Sequence, residues 1–220
     1  MLEKNSRPKI ERKPVAVMDA ADTVEMLEAA RGTRWFIPML LGAMCGIRRG
    51  EIAALRWRNV QFKTGQIEIS RSVEQTKKGC REKETKGSKC RTVAMPSLLI
   101  EELKAWRAQQ AQELLRLGIR PNGDTHIVTK TDGTSPKPKT LTDLVGRFMQ
   151  AQGSKLRLHG LRHSHASHLL AENVHPKIVQ ERLGHHSIMV TMDIYSHLMP
   201  NMQADATAKL DAALRAAKKS

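Results

Sequence analysis

The hydrophobic positions divide the chain into helical stripes interrupted by one stretch of strand-like alternation. Asp19 and Asp22 are cap-type residues ahead of an amphipathic helix that runs to about Arg31. Trp35 to Cys45 is apolar almost without a break and predicts a helix; Gly46 ends it, and Arg49 to Trp57 predicts a second. From Phe62 to Glu74 the period changes to two. Ile67, Ile69, Arg71 and Val73 fall on one side of an extended chain and Glu68, Ser70 and Ser72 on the other, so a strand region follows a turn at Thr64-Gly65. Thr76 to Arg91 is a highly charged, glycine-bearing loop, and Thr92 to Met95 is a short strand that ends at Pro96. From Ser97 a long helix carries the stripe Leu99, Leu103, Trp106, Leu114 and Leu117. Thr125 to Thr129 reads as a strand and Thr131 to Lys139 as a Gly/Pro/Lys loop. Helical periodicity then returns for Thr140 to Gln150, Gly160 to Glu172, Pro176 to Leu183, Ser187 to His197 and Gln203 to Lys218. No internal repeat or low-complexity segment intervenes. The sum predicts a mainly α domain with a small antiparallel β-sheet, an α+β fold.

Composition narrows what such a domain does. A chain of 220 residues with 40% hydrophobic content suits a globular protein with one good core. Aromatics make up only 3%, so aliphatic residues and methionine must fill it. The formal net charge of +15 and the pI of about 10.1 favour a polyanionic partner. Nucleic acid is expected and membrane is not, because no apolar run approaches spanning length; Trp35 to Gly46 is short and contains Pro38 and Gly42. Met1 to Pro14 is polar and charged, unlike a secretory signal. Cys45, Cys80 and Cys90 are an odd count without zinc-type spacing, which reads as reduced thiols in a cytoplasm. Cys80 and Cys90 flank the charged segment, where a hairpin would let them face each other as an oxidation-sensitive pair.

The chemistry gathers around the chain's single tyrosine, Tyr195. Leu183-Gly184-His185 lies ten residues before it, His159-Gly160-Leu161-Arg162-His163 further upstream, and Gly46-Ile47-Arg48-Arg49-Gly50-Glu51 far upstream. Transfer of a phosphoryl group to a tyrosine builds extra negative charge on the non-bridging oxygens. Arginine answers that charge with a planar fork of donors protonated at any working pH. His159 and Arg162 are three apart, so a helix would put them on one face. Taken alone, Arg48-Arg49 reads as a solvated pair, and a lone tyrosine as a core or surface residue; agreement between separated motifs reverses this. His159, His163, His165 and His168 also raise a zinc reading, but no nearby cysteine or clear carboxylate completes a ligand set.

These motifs resemble those of the tyrosine recombinases, the integrase family of phages, plasmids and integrative elements, from about Ala43 to His197. The family's G-x-R-x-x-E pattern falls on Gly46, Arg48 and Glu51, its H-x-x-R-H on His159, Arg162 and His163, and its L-G-H…T-x-x-x-Y-x-H on Leu183 to His197. The resemblance implies the tyrosine recombinase catalytic-domain fold. Its catalytic residues would be Tyr195 as nucleophile, Arg48 (not Arg49) and Arg162 as phosphate clamps, His159 as proton handler and His185 as phosphate donor. Glu51 would orient an arginine, and His163 would support the set. A catalytic lysine is expected in the charged loop, where Thr85 to Val93 resembles the family's T-K/G-K…R-x-V segment. Lys86 is the pick and Lys83 and Lys89 its competitors. Lys77, Lys78 and Arg81, with Lys83 and Lys89, would touch DNA backbone.

The resemblance further implies cleavage of double-stranded DNA at a recombination or attachment site, without metal or cofactor. It implies a monomer that assembles into a homotetramer on DNA. Residues 1–16 would be a basic linker, 17–200 the catalytic domain, and 201–220 a tail helix whose stripe of Ala206, Leu210, Ala213 and Leu214 docks on a neighbour. Core-binding and arm-binding domains, which precede the catalytic domain in longer family members, are expected to be absent from this chain. A type IB topoisomerase shares the chemistry, and an inactive DNA-binding relative would share the fold. The L-G-H…Y ending and the intact residue set favour a recombinase.

Overall fold

The computed structural model describes residues 15–76, 79–84, 90–195 and 202–218. Helix α1 (Ala20–Ala30) starts where its cap predicts: the Asp19 carboxylate accepts from the Asp22 amide at 2.7 Å. Helix α2 (Phe36–Cys45) is buried on all sides, which explains its unbroken apolar sequence. Pro38 lies in its first turn, where a missing amide breaks no helical bond. Gly46, with a φ of 63°, ends it.

Helix α3 (Arg49–Ala54) stops three residues short of the expected Trp57, and a single 3₁₀ turn follows at Trp57–Asn59. The backbone is diverted between them because the Ile127 amide donates to Leu55 O at 2.9 Å and the Trp57 amide to Thr125 O at 3.1 Å. For the same reason the strand expected at Thr125 to Thr129 does not form. It contributes one isolated bridge, Arg56 to His126. Side chains take its carbonyls instead: Trp106 Nε1 donates to Ile127 O at 2.7 Å and Gln110 Nε2 to His126 O at 3.0 Å.

Five strands follow α3 in sequence: β1 (Val60–Gln61), β2 (Gln66–Ile69), β3 (Arg71–Thr76), β4 (Gly79–Glu84) and β5 (Arg91–Ala94). They form two antiparallel sheets instead of the single sheet expected, one of order β1-β2-β5 and one of β3 with β4. The alternation from Phe62 to Glu74 is therefore split at Ser70, and the segment expected to be a charged loop contains β4. That strand is cryptic because its pairing is polar. Lys83 Nζ lies 2.6 Å from Glu74, and Glu82 bridges Arg56 at 2.7 Å and Arg71 at 3.3 Å. Cys80 pairs in register with Gln75, and Cys90 Sγ lies 3.2 Å from Glu68 Oε1, so the two thiols do not face each other.

Helix α4 (Ser97–Arg116) buries Leu99, Leu103 and Leu114 as predicted, but Leu117 lies beyond its end and is exposed. The stripe includes a residue its periodicity did not mark: Gln110 is buried and accepts from Trp57 Nε1 at 2.7 Å. Helices α5 (Pro138–Ala151), α6 (Leu158–Ala171), α7 (Pro176–Leu183), α8 (Ile188–Tyr195) and α9 (Met202–Lys218) complete the order. The main core joins α2, α4, α5, α6 and the three-stranded sheet, while Ala166, Leu170, Val179 and Leu183 form a smaller cluster that seats α7 on α6. On α9, Leu210 and Leu214 are exposed; the side chains of Ala206 and Ala213, the rest of the expected stripe, lie outside the described residues. Among the described residues no helix is long and apolar enough to cross a membrane.

Leu161 is fully buried on α6, between His159 and Arg162. Leu161→Ala is expected to lower the unfolding free energy by about 2–5 kcal/mol, read by urea denaturation, because the cavity cannot collapse between α2 and α6.

Candidate active site

The last carbonyls of a helix have no partner within it, and at α7 three arginines from distant parts of the chain supply them. Arg91, at the start of β5, donates from Nε to Arg182 O at 2.9 Å. Arg162 Nη2 donates to Leu183 O at 2.7 Å, and Arg48 Nη2 to Gly184 O at 2.7 Å. Arg162 is buried and its Nη1 also donates to Gly46 O, which ties the end of α2 to the same point. Gly184 has a φ of 66°, and a Cβ there would sit 2.9 Å from Arg91 Nη1. Glycine thus provides both the left-handed turn and the room for a guanidinium to lie against it.

Glu51 is the anchor for two of these arginines. It is only 2% exposed and accepts from Arg91 Nη1 at 2.9 Å and Nη2 at 2.7 Å, one bond to each oxygen. It also accepts from Arg48 Nη1 at 3.0 Å and the Arg48 amide at 2.9 Å, closing the first turn of α3. The turn after Gly184 carries His185. Its Nδ1 lies 2.9 Å from Thr191 Oγ1, and Thr191 is buried in α8. Tyr195 is the last residue of α8, one helical turn after Thr191. His159 and His163 stack edge to face on α6, their ring centroids 4.5 Å apart, His159 exposed and His163 half-buried.

The phage integrase family model matches residues 15–202. The chain belongs to this family. It is 31% identical over 199 residues to a XerC-like tyrosine recombinase of Caldanaerobacter subterraneus subsp. tengcongensis, covering 84% of this chain and 51% of that protein. It is 32% identical over 176 residues to the ICEBs1 integrase of Bacillus subtilis, covering 76% and 46%. The chain thus spans about half the length of the curated relatives it matches. The fold superposes on the Tn1549 transposon integrase with a TM-score of 0.76 at 17% identity, over 92% of this chain and 67% of that one.

In this integrase-family domain Arg48, Glu51, Lys83, Arg91 and His185 line one cleft of about 530 Å³, with Lys177 and His186 at its wall. Of the DNA-binding candidates, Arg81 is exposed on β4, and Lys83 is held by Glu74 beside the cleft. Lys77, Lys78, Lys86 and Lys89 lie outside the described residues, as does His197.

Electrostatics set the protonation of the site. Burial acts to raise the Glu51 pKa, but the Arg91 and Arg48 cations override it and hold the carboxyl at about 2. His185 is pushed down to about 3 by burial and by Arg162, Arg48, His163 and Arg91, and His163 to about 4 by burial, His159 and Arg162. Desolvation and the charges of Arg162, Arg48 and Arg49 lower His159. All three rings are neutral at physiological pH.

A supporting layer lies outside the motifs. His165 Nδ1 lies 2.9 Å from Ala43 O, and its Nε2 accepts from Arg182 Nε at 3.0 Å, which fixes the proton on Nδ1. Arg182 also donates to Met44 O at 3.0 Å and Ala94 O at 2.9 Å. His168 Nε2 is engaged with Met18 O at 2.9 Å. Two of the four histidines weighed as zinc ligands are therefore turned to backbone, and no metal-binding cluster occurs among the described residues. Neither Arg182 nor His165 has a sequence signal beyond lying near a motif. Arg91 was visible only as the arginine of the R-x-V segment.

The depressed Glu51 pKa has a definite sign. Its contribution to stability is complete above the ordinary value of 4.5 and is lost as pH falls toward about 2. Chemical unfolding across that window should show the loss. Glu51→Gln should flatten that part of the curve and cost about 3–5 kcal/mol at neutral pH, because it leaves Arg91 buried without a countercharge.

Proposed function

We propose that the chain is the catalytic domain of a site-specific tyrosine recombinase, which cleaves and rejoins double-stranded DNA through a 3′-phosphotyrosyl intermediate. The observation that carries this reading is the meeting of Arg48, Arg162 and His185 at one helix end, with α8 leading from Thr191 to Tyr195. The Tyr195 oxygen attacks the phosphorus and its proton passes to His159, whose lowered pKa keeps a ring nitrogen able to accept it. Arg48 and Arg162 take the charge that builds on the non-bridging oxygens. If the Thr191 hydroxyl donates to His185 Nδ1, the ring carries its proton on Nε2 and donates to phosphate while neutral. The departing 5′ oxygen takes a proton from a lysine of the charged segment, Lys86 in this reading, with Lys83 and Lys89 as competitors. The energy of the broken phosphodiester stays in the tyrosyl ester, so a 5′-hydroxyl reverses the step. None of these roles calls for a metal or cofactor.

Named relatives support the substrate. The Tn1549 integrase structure holds transposon right-end DNA, and the curated relatives are recombinases and integrases, which does not favour a type IB topoisomerase. In this reading residues 1–16 are a linker, 17–200 the catalytic domain and 201–220 a tail that docks on a neighbouring protomer of a DNA-bound tetramer. The exposed Leu210 and Leu214 support that docking. The protein works on cytoplasmic DNA and is a monomer without it.

A nicked suicide substrate incubated with the protein in excess chelator should give a covalent adduct, which mass spectrometry places on Tyr195 through a 3′ phosphate. Tyr195→Phe should keep DNA binding and lose the adduct. An adduct elsewhere, or a strict need for divalent metal, would refute the assignment. With a net charge of +15, DNA affinity should also fall steeply with salt. Fluorescence anisotropy should give a log–log slope of roughly one unit per phosphate contacted.

A further inference from the structure

We propose that Arg91 is a positioning residue that fixes Arg48 and His185 relative to each other across the cleft, acting through Glu51 and the backbone turn at residues 182–184. The proposal rests on the recombinase reading above.

Arg91 joins Glu51 to the turn at residues 182–184 from the sheet side, as Arg48 does from the start of α3. Its backbone is fixed by pairing with Ile69 in the three-stranded sheet. Its side chain is 11% exposed. One edge of the guanidinium takes both oxygens of Glu51, at 2.9 and 2.7 Å, and Glu51 in turn holds the Arg48 side chain and amide. Nε reaches the other way, to Arg182 O at 2.9 Å. The planar group lies against Gly184, whose own carbonyl receives Arg48. His185 is the next residue. The rigid Arg91 fork thus braces the entry to α3, which carries one phosphate donor, against the exit from α7, which carries another, beside the direct Arg48 contact to Gly184 O. Arg91 acts through these groups, so its role is to hold geometry and not to contact phosphate.

Only a bidentate, planar donor with a third N–H on its flank makes these contacts. Lysine at 91 keeps the charge and loses the fork. Arg91→Lys should therefore lower the single-turnover rate of adduct formation on a suicide substrate by roughly 10²-fold, the scale for small misplacements of catalytic groups. DNA affinity should stay within about threefold, because ground-state binding is not what the fork provides. A rate within about threefold of the parent, or an affinity loss as large as the rate loss, overturns the proposal.

Two further measurements guard the conclusion. In a double-mutant cycle, the rate losses of Arg91→Lys and Glu51→Gln should be clearly less than additive, because both break the Arg91–Glu51 link; fully additive losses overturn it. Independently of activity, imidazole NMR should find His185 neutral down to about pH 3 in the parent. In Arg91→Lys, where charge is kept but the turn is loosened, the midpoint should rise by about one unit or more. An unmoved midpoint means that the turn does not depend on Arg91. If the parent forms no adduct on any DNA, the recombinase reading fails, and the His185 titration still decides what Arg91 holds.

Discussion

One buried carboxylate sets the geometry of the site. Glu51 has left water almost completely, at a cost that only close cations and donated hydrogen bonds can offset. Arg91 from the sheet and Arg48 from the helix start both close on it, so two segments 40 positions apart in sequence share one fixed point. Helix α3 has six residues and is too short to define a direction by its own hydrogen bonds. Its first turn is held by the Glu51 contact to the Arg48 amide, and its place in the fold by Arg91. Loss of Arg91 leaves Glu51 with the more exposed Arg48 in place of a buried two-point partner.

The same arrangement explains how so many cations lie close together without DNA. Arg48, Arg91 and Arg162 converge on successive carbonyls at the negative end of α7, and Glu51 provides a full negative charge beside them. The protein therefore supplies part of the countercharge that a phosphate would bring. Three neutral histidines keep the total from rising further. Their depressed pKa values record burial first and then the cationic surroundings, the property that would stabilise an oxyanion.

Much of this was legible in the sequence, for definable reasons. Asp19, Gly46 and Pro176 mark helix ends because capping, left-handed turns and a fixed φ constrain residue type, and the helices begin or end there. Arg48, Arg162 and His185 belong to motifs, and they meet. β4 was missed because its register is set by Glu74, Arg71 and Lys83 contacts that leave no apolar alternation. The strand expected at Thr125 to Thr129 failed because the His126 and Ile127 carbonyls go to side-chain donors, Trp106 and Gln110, which no local pattern reveals. Arg91 has no distinguishing mark in the sequence, because a buried arginine and a solvated one look alike until the partner is known.

Gly184 carries an evolutionary consequence. A methyl group at that position would meet the Arg91 guanidinium at 2.9 to 3.1 Å, on a backbone that already disfavours any side chain. The glycine and the arginine therefore constrain each other, although they stand 93 positions apart in the chain. Drift at residue 184 is blocked while residue 91 keeps its fork, and a smaller residue at 91 would release space but strand Glu51. A change at any one of Glu51, Arg91 and Gly184 therefore alters what the other two positions can tolerate.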